Sequence, residues 1–159
     1  MKQKLFSLGD DFTIRDESGN DVYFVDGKAM SIGNQLSFQD AERNELAFIK
    51  QRVLSWGATY EISRAGQVVA VVKQQLTALI HHRFMVDAPG SGDLEIEGNL
   101  TDHEYRFHRG DATVATVSKK WLALADTYSV DVEAGEDPVL VLACTVVVDE
   151  ACHPDGRRT

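Results

Sequence analysis

From Pro138 to Val148 the only polar side chain is that of Thr145. As a helix this stretch would be apolar on every face and would need cover on every side. At 1.5 Å per residue it would reach about 17 Å, short of the roughly 30 Å of a bilayer core, so the chain is not expected to be transmembrane. Asp137 ahead of Pro138 reads as an N-cap with proline at the first helical position, and the acids Glu136 and Asp137 suit the positive end of the helix dipole. The run Val146-Val147-Val148 argues instead for a buried strand, because β-branched side chains lose χ1 freedom in a helix. Local evidence leaves helix and strand open. In either form the expected core of the segment is Val139, Leu140, Leu142, Ala143, Cys144, Val146 and Val147.

The remainder reads as short strands. Phe12-Thr13-Ile14-Arg15 alternates apolar and polar residues, Asp16 to Asn20 is a turn, and Val22-Tyr23-Phe24-Val25 returns. Asp26-Gly27 is a tight-turn signal, with a further strand expected around Ser31 to Asn34. Gln35 to Gln39 alternates strictly, Asp40 to Glu45 turns, and Leu46 to Gln51 follows. Turns recur about every 8 to 12 residues, the spacing of an all-β chain. Another strand or two is expected from Leu76 to Val86, then the loop Asp87 to Asp93, the strand Leu94 to Glu97 and a last strand from Asp126 to Val132. The simplest arrangement is a β shell closed around the apolar segment as a plug, with strands over about 10–132, a central helix over about 137–151 and a frayed tail over 153–159.

One stretch repeats. Tyr60-Glu61-Ile62-Ser63-Arg64, Gly66 and Val69-Ala70-Val71-Val72 are echoed by Tyr105-Arg106-Phe107-His108-Arg109, Gly110 and Val114-Ala115-Thr116-Val117, an offset of 45 at the tyrosines. The echo reads as two matched hairpins of one sheet system; a propeller would need three or more full units.

A chain of 159 residues is expected to be one domain and a monomer. Its formal charge of −9 disfavours nucleic acid, and disfavours tight attachment to anionic lipid unless the cations cluster locally. The N-terminus carries no secretory pattern, and the two cysteines, Cys144 and Cys152, would lie about 12 Å apart on a helix, beyond disulfide reach. A reducing, cytoplasmic setting is expected.

Motifs for catalysis are missing from the sequence: there is no nucleophile elbow, Walker loop, dinucleotide fingerprint or zinc-binding histidine pair. No enzyme activity and no cofactor are expected. Gly90-Ser91-Gly92 and Arg109-Gly110-Asp111 read as plain turns, and His81, His82, His103 and His108 as surface residues. Asp126, Asp131, Glu133, Glu136 and Asp137 could gather around Ca²⁺, although Tyr128 and Val130 stand where an EF-hand loop needs oxygen ligands. Lys119-Lys120-Trp121 is a small basic-aromatic patch suited to a lipid interface.

Taken in order, Phe12-x-Ile14-x-Asp16-x-x-Gly19, Tyr23-x-Val25-x-Gly27, Val114-Ala115-x-Val117-Ser118-Lys119, Asp126-Thr127-Tyr128-x-Val130 and the plug ending in Val148-Asp149 resemble the LURP-one-related family of the tubby-like superfamily. That resemblance implies a closed antiparallel twelve-stranded β-barrel around a buried hydrophobic C-terminal helix, and favours helix for the plug. Relatives of the fold include phosphoinositide-binding tubby domains and Ca²⁺-responsive phospholipid scramblases. Neither activity carries over residue by residue, and no catalytic residues are implied. The expectation is a non-enzymatic binding or adaptor module whose partner is a protein or a membrane lipid. The alternatives are a Ca²⁺-responsive phospholipid-handling protein, or a small-molecule carrier or enzyme with its site at the barrel mouth.

Overall fold

The protein is described by a computed structural model, covering residues 2–8, 11–27, 34–53, 57–77, 81–100, 102, 104–119 and 127–153. The strands in chain order are β1 (Lys2–Leu8), β2 (Asp11–Arg15), β3 (Asp21–Gly27), β4 (Gln35–Asp40), β5 (Glu45–Gln51) and β6 (Thr59–Arg64). They continue with β7 (Gln67–Thr77), β8 (His81–Asp87), β9 (Leu94–Asn99), β10 (Glu104–Arg109), β11 (Ala112–Lys119) and β12 (Thr127–Val132), and the chain ends in one helix, α1 (Pro138–Cys152).

The fold is mainly β, with each strand from β2 to β12 pairing antiparallel with the next and α1 packed on the inner face of the sheet. β1 has a neighbour on each side: Leu5 stands opposite Tyr128 of β12 and opposite Ile14 of β2. Period-two alternation decides what points inward. Ile49, Ile62, Val72, Phe84, Ile96 and Phe107 are all fully buried, and they meet the helix in one continuous core. The sheet approaches the helix on β5, β7 and β12, and on the first two of these strands the inward residues include Ala47 and Ala70. Small side chains there leave room for a helix whose own surface is valine and leucine.

Residues Leu140 to Glu150 of α1 are all buried, so the segment is helical and covered on every side. Its hydroxyl is satisfied locally, Thr145 Oγ1 donating to the Val141 carbonyl at 2.9 Å. Val139, expected in the core, is half-buried because it lies in the first turn, at the opening of the sheet. The helix occupies 138–152, one residue later at each end than expected.

Four expectations need correction. The first strand begins at Lys2, not near residue 10, since the N-terminal residues gain ladder partners on both sides. Asp26-Gly27 is no turn: both residues pair with β4, opposite Ser37 and Leu36, and the Gly27 N–H donates to Asp11 Oδ1 at 3.0 Å. Asn34 stands outside any strand, and 31–33 lie outside the described residues. Leu76 belongs to β7, one strand of eleven residues.

Turns at one end of the sheet repeat a device. Asp16 Oδ1 accepts from the Ser18 and Asn20 N–H groups, both at 2.9 Å, and Asp40 Oδ1 accepts from the Asn44 N–H at 2.8 Å. Both carboxyls titrate below the usual range, held there first by the bonds to Asn20 and to Asn44. One glycine is required by space. Gly98 has φ +136°, and a Cβ there would lie 2.6 Å from the Glu104 carbonyl oxygen.

Candidate binding mouth at the start of the helix

The repeated stretches fold as the hairpins β6–β7 and β10–β11, and the repeat extends to their register. Tyr60 faces Val72 as Tyr105 faces Val117; Ile62 faces Ala70 as Phe107 faces Ala115. Each ladder slips by one residue at the same place, between Ile62 and Ser63 and between Phe107 and His108. The turns differ. Ala65 and Gly66 both take positive φ, +48° and +78°, whereas in the second hairpin Gly110 takes it at +59°.

The register brings Arg64 and Arg109 to equivalent strand ends, beside the start of α1. Arg64 grips Asp137 with two bonds, Nη1 to Oδ2 at 2.8 Å and Nη2 to Oδ1 at 2.9 Å. Arg109 Nη1 reaches Glu136 Oε1 at 2.6 Å. Asp137 is also the N-cap, its Oδ1 accepting from the Val139 and Leu140 N–H groups at 3.0 and 3.2 Å. Burial would raise the Asp137 pKa, but the Arg64 bonds and those two N–H donors outweigh it and hold it below the usual carboxylate value. The helix start is therefore already capped and neutralised by the chain itself.

Two clefts open beside it. One, of about 210 Å³, is lined by Ser91, Leu94, Arg109, Glu136 and Leu140 among others. The second, of about 280 Å³, is lined by Arg64, Val68, Val69 and Pro89 among others, and the two share Ser91, Asp137 and Leu140. The loop between β8 and β9, tied by Ser91 and Gly92 N–H bonds to the Ala88 carbonyl, runs between them. Gly90-Ser91-Gly92 is thus a turn, as expected, but one that lines both clefts.

The same hairpins address the far end of the helix. Burial and the negative charge of Glu150 push the Tyr60 hydroxyl far above its ordinary pKa, and burial and the charge of Asp149 do the same to Tyr105. Asp149 and Glu150 are both buried there, with Asn34 Nδ2 donating to Glu150 Oε2 at 3.2 Å and the His153 N–H to the Asp149 carbonyl at 2.9 Å. Both cysteines are free. Burial pushes each thiol up to about 12, with the charges of Asp137 and Asp149 adding to the effect at Cys144 and Cys152 respectively. Neither is a thiolate nucleophile at neutral pH.

The residues singled out in the sequence are placed differently from one another. Glu136 and Asp137 are taken by the two arginines, Asp131 on β12 lies 4.0 Å from Lys2, and Glu133 is an exposed turn residue. Asp126 lies outside the described residues. Among the described residues no three His, Cys, Asp or Glu side chains form a group able to hold a metal ion. Lys119 ends β11 opposite Tyr128; its side chain, and Lys120 and Trp121 entirely, lie outside the described residues. His108 is half-buried, its Nε2 3.7 Å from Glu97 Oε1. Sequence reading passed over Arg64 and Arg109, although the Tyr-x-x-x-Arg spacing common to both copies marked them.

Comparison with known proteins gives a consistent result. A family model described as LURP-one-related matches residues 1–149. The Bacillus subtilis (strain 168) protein YxjI is 32% identical over 155 residues, covering 98% of this chain and 93% of its own length. A solved structure of an Arabidopsis thaliana protein is similar in fold, with a TM-score of 0.72 at 14% identity over 94% of this chain and 89% of that one.

Proposed function

This chain belongs to the LURP-one-related family, and from that premise we propose that it is a non-enzymatic, cytoplasmic, monomeric binding or adaptor module that works through its outer surface. The reading takes β1, laddered to β12 and β2, as closing the sheet into a twelve-stranded barrel. One observation carries it: the space inside the sheet is filled by α1, whose residues from Leu140 to Glu150 are all buried. Small barrels packed with side chains leave no room for a substrate. A partner, whether a protein or a membrane lipid, then meets the outer wall or the two clefts at the mouth. Among the described residues lining the clefts no nucleophile stands beside a general base, and the arginines are engaged by Glu136 and Asp137. Both of those acids are occupied, so the proposal does not extend to a Ca²⁺-responsive activity.

Native mass spectrometry of the protein purified from cells tests the reading. The expected spectrum is that of the bare monomeric chain. A small molecule retained at one per chain would contradict it and point to a carrier with an internal site.

A further inference from the structure

On the outer wall the strands β5, β6 and β7 bring together cations that are far apart in sequence. Ile49 points inward and is fully buried, so its neighbour Lys50 points outward and is exposed. Lys50 stands opposite Glu61 on β6. Arg52, just past β5, donates from Nε to Glu61 Oε1 at 2.7 Å, and its backbone N–H bonds the Thr59 carbonyl at 2.8 Å. On the other side of Thr59 stands Lys73 of β7, also exposed. Lys50 and Arg52 therefore flank the Glu61 carboxylate, which Arg52 engages, and Lys73 stands two residues along β6, opposite Thr59. Lys50 and Lys73 make no ion pair among the described residues. Arg83, on the next strand, is committed to Glu95 and Glu97.

Beside these cations, Val53 is 55% exposed; it and Val68 are the large apolar side chains left most open among the described residues. Glu45 and the half-buried Leu46 and Phe48 line a shallow groove of about 340 Å³ that reaches Lys50 and Glu61. Three cations against the carboxylates of Glu45 and Glu61 leave this face with a small positive excess next to an open apolar side chain, in a chain of net charge −9. It meets the one condition under which so acidic a chain can approach anionic lipid, namely local clustering of its cations.

We propose that the outer face of β5–β7, with Lys50, Arg52, Lys73 and Val53, docks onto the surface of an anionic bilayer. This inference rests on the binding-module reading and gives that module a face and a partner. The cations meet the headgroups and Val53 enters the interfacial region, while repulsion of the remaining acidic surface fixes the orientation.

Flotation with vesicles of phosphatidylcholine alone, or with added phosphatidylserine, tests it at low and high salt. Wild-type protein should bind only the anionic vesicles, and high salt should release it. Lys50→Glu combined with Lys73→Glu should weaken binding by at least about 25-fold, taking roughly fivefold per cation. Val53→Ser should weaken it less, and Arg106→Glu, a control on β10, should leave it within about twofold. All four residues are exposed, and an unchanged melting temperature confirms that each variant is folded. Binding by the wild type that survives the double reversal would overturn the choice of face and leave membrane binding standing. No binding to anionic vesicles, or binding only to a soluble polyanion such as polyglutamate, would overturn the inference and leave the binding-module reading intact.

Discussion

The hairpins β6–β7 and β10–β11 share register, bulge position, an inward tyrosine and a terminal arginine, yet they do not serve the helix equally. Arg64 makes two bonds to the residue that caps α1, and so holds the cap itself. Arg109 makes one bond to Glu136, a residue outside the helix. The tyrosines differ too. The Tyr105 hydroxyl is buried beside Thr145 without a hydrogen bond of normal geometry, while Tyr60 stands beside Asn34 and Glu150. A repeated sequence therefore reproduces a strand pair, but the worth of each copy is set by the helix residue it meets.

The comparison breaks altogether if the helix is lost. Ala143→Asp should prevent folding, because it places an unpaired charge at a fully buried position of the helix; soluble protein that melts cooperatively would refute this. Gly98→Ala should disturb the second hairpin alone. The added Cβ meets the β10 backbone and φ is already +136°, so a loss of about 2–3 kcal/mol is expected in denaturant unfolding.

The two arginines sharpen the contrast. Arg64→Ala should cost about 1–1.5 kcal/mol and Arg109→Ala about 0.5 kcal/mol, with a discount for partial exposure in both cases. Equal losses would mean that the cap is not the source of the difference. Acid titration gives a second reading of the same pair. The pKa of Asp137 is lowered on folding, so its contribution to stability is present above the ordinary carboxylate value near 3.8. That contribution is lost as pH falls through the lower, folded value. Arg64→Ala should flatten this acid limb of the stability curve; Arg109→Ala, which leaves the bonds to Asp137 in place, should keep it. The tyrosines give a last contrast, with Tyr105 the smallest effect of all. Tyr60→Phe should cost about 1 kcal/mol by leaving Asn34 without the hydroxyl, and Tyr105→Phe should change stability by less than about 0.5 kcal/mol.

Much of this architecture is legible in the sequence. The plug declares itself by composition, its start by Asp137-Pro138, and the strands by alternation. What local pattern could not supply was pairing. Lys2 to Leu8 lacks a strong strand pattern of its own and becomes a strand only by laddering to β12 and β2. Asp26-Gly27 has turn chemistry, overridden by its partners on β4 and by Asp11. The candidate sites show the same limit. Arg64 and Arg109 were visible as a repeat, but their role depends on acids that follow them by 73 and 27 residues. Lys50, Arg52 and Lys73 form a patch only through the register of three strands, and no sequence window contains all three with their surroundings.

The central claim is that α1 is the core around which the sheet folds. Native-state hydrogen exchange followed residue by residue measures it most directly. Amides from Leu142 to Val147 should exchange as slowly as those of Ile62 and Phe107, and only through global unfolding. Fast exchange along the helix while β6 and β10 stay protected would show that the sheet stands without its plug, and would contradict the account.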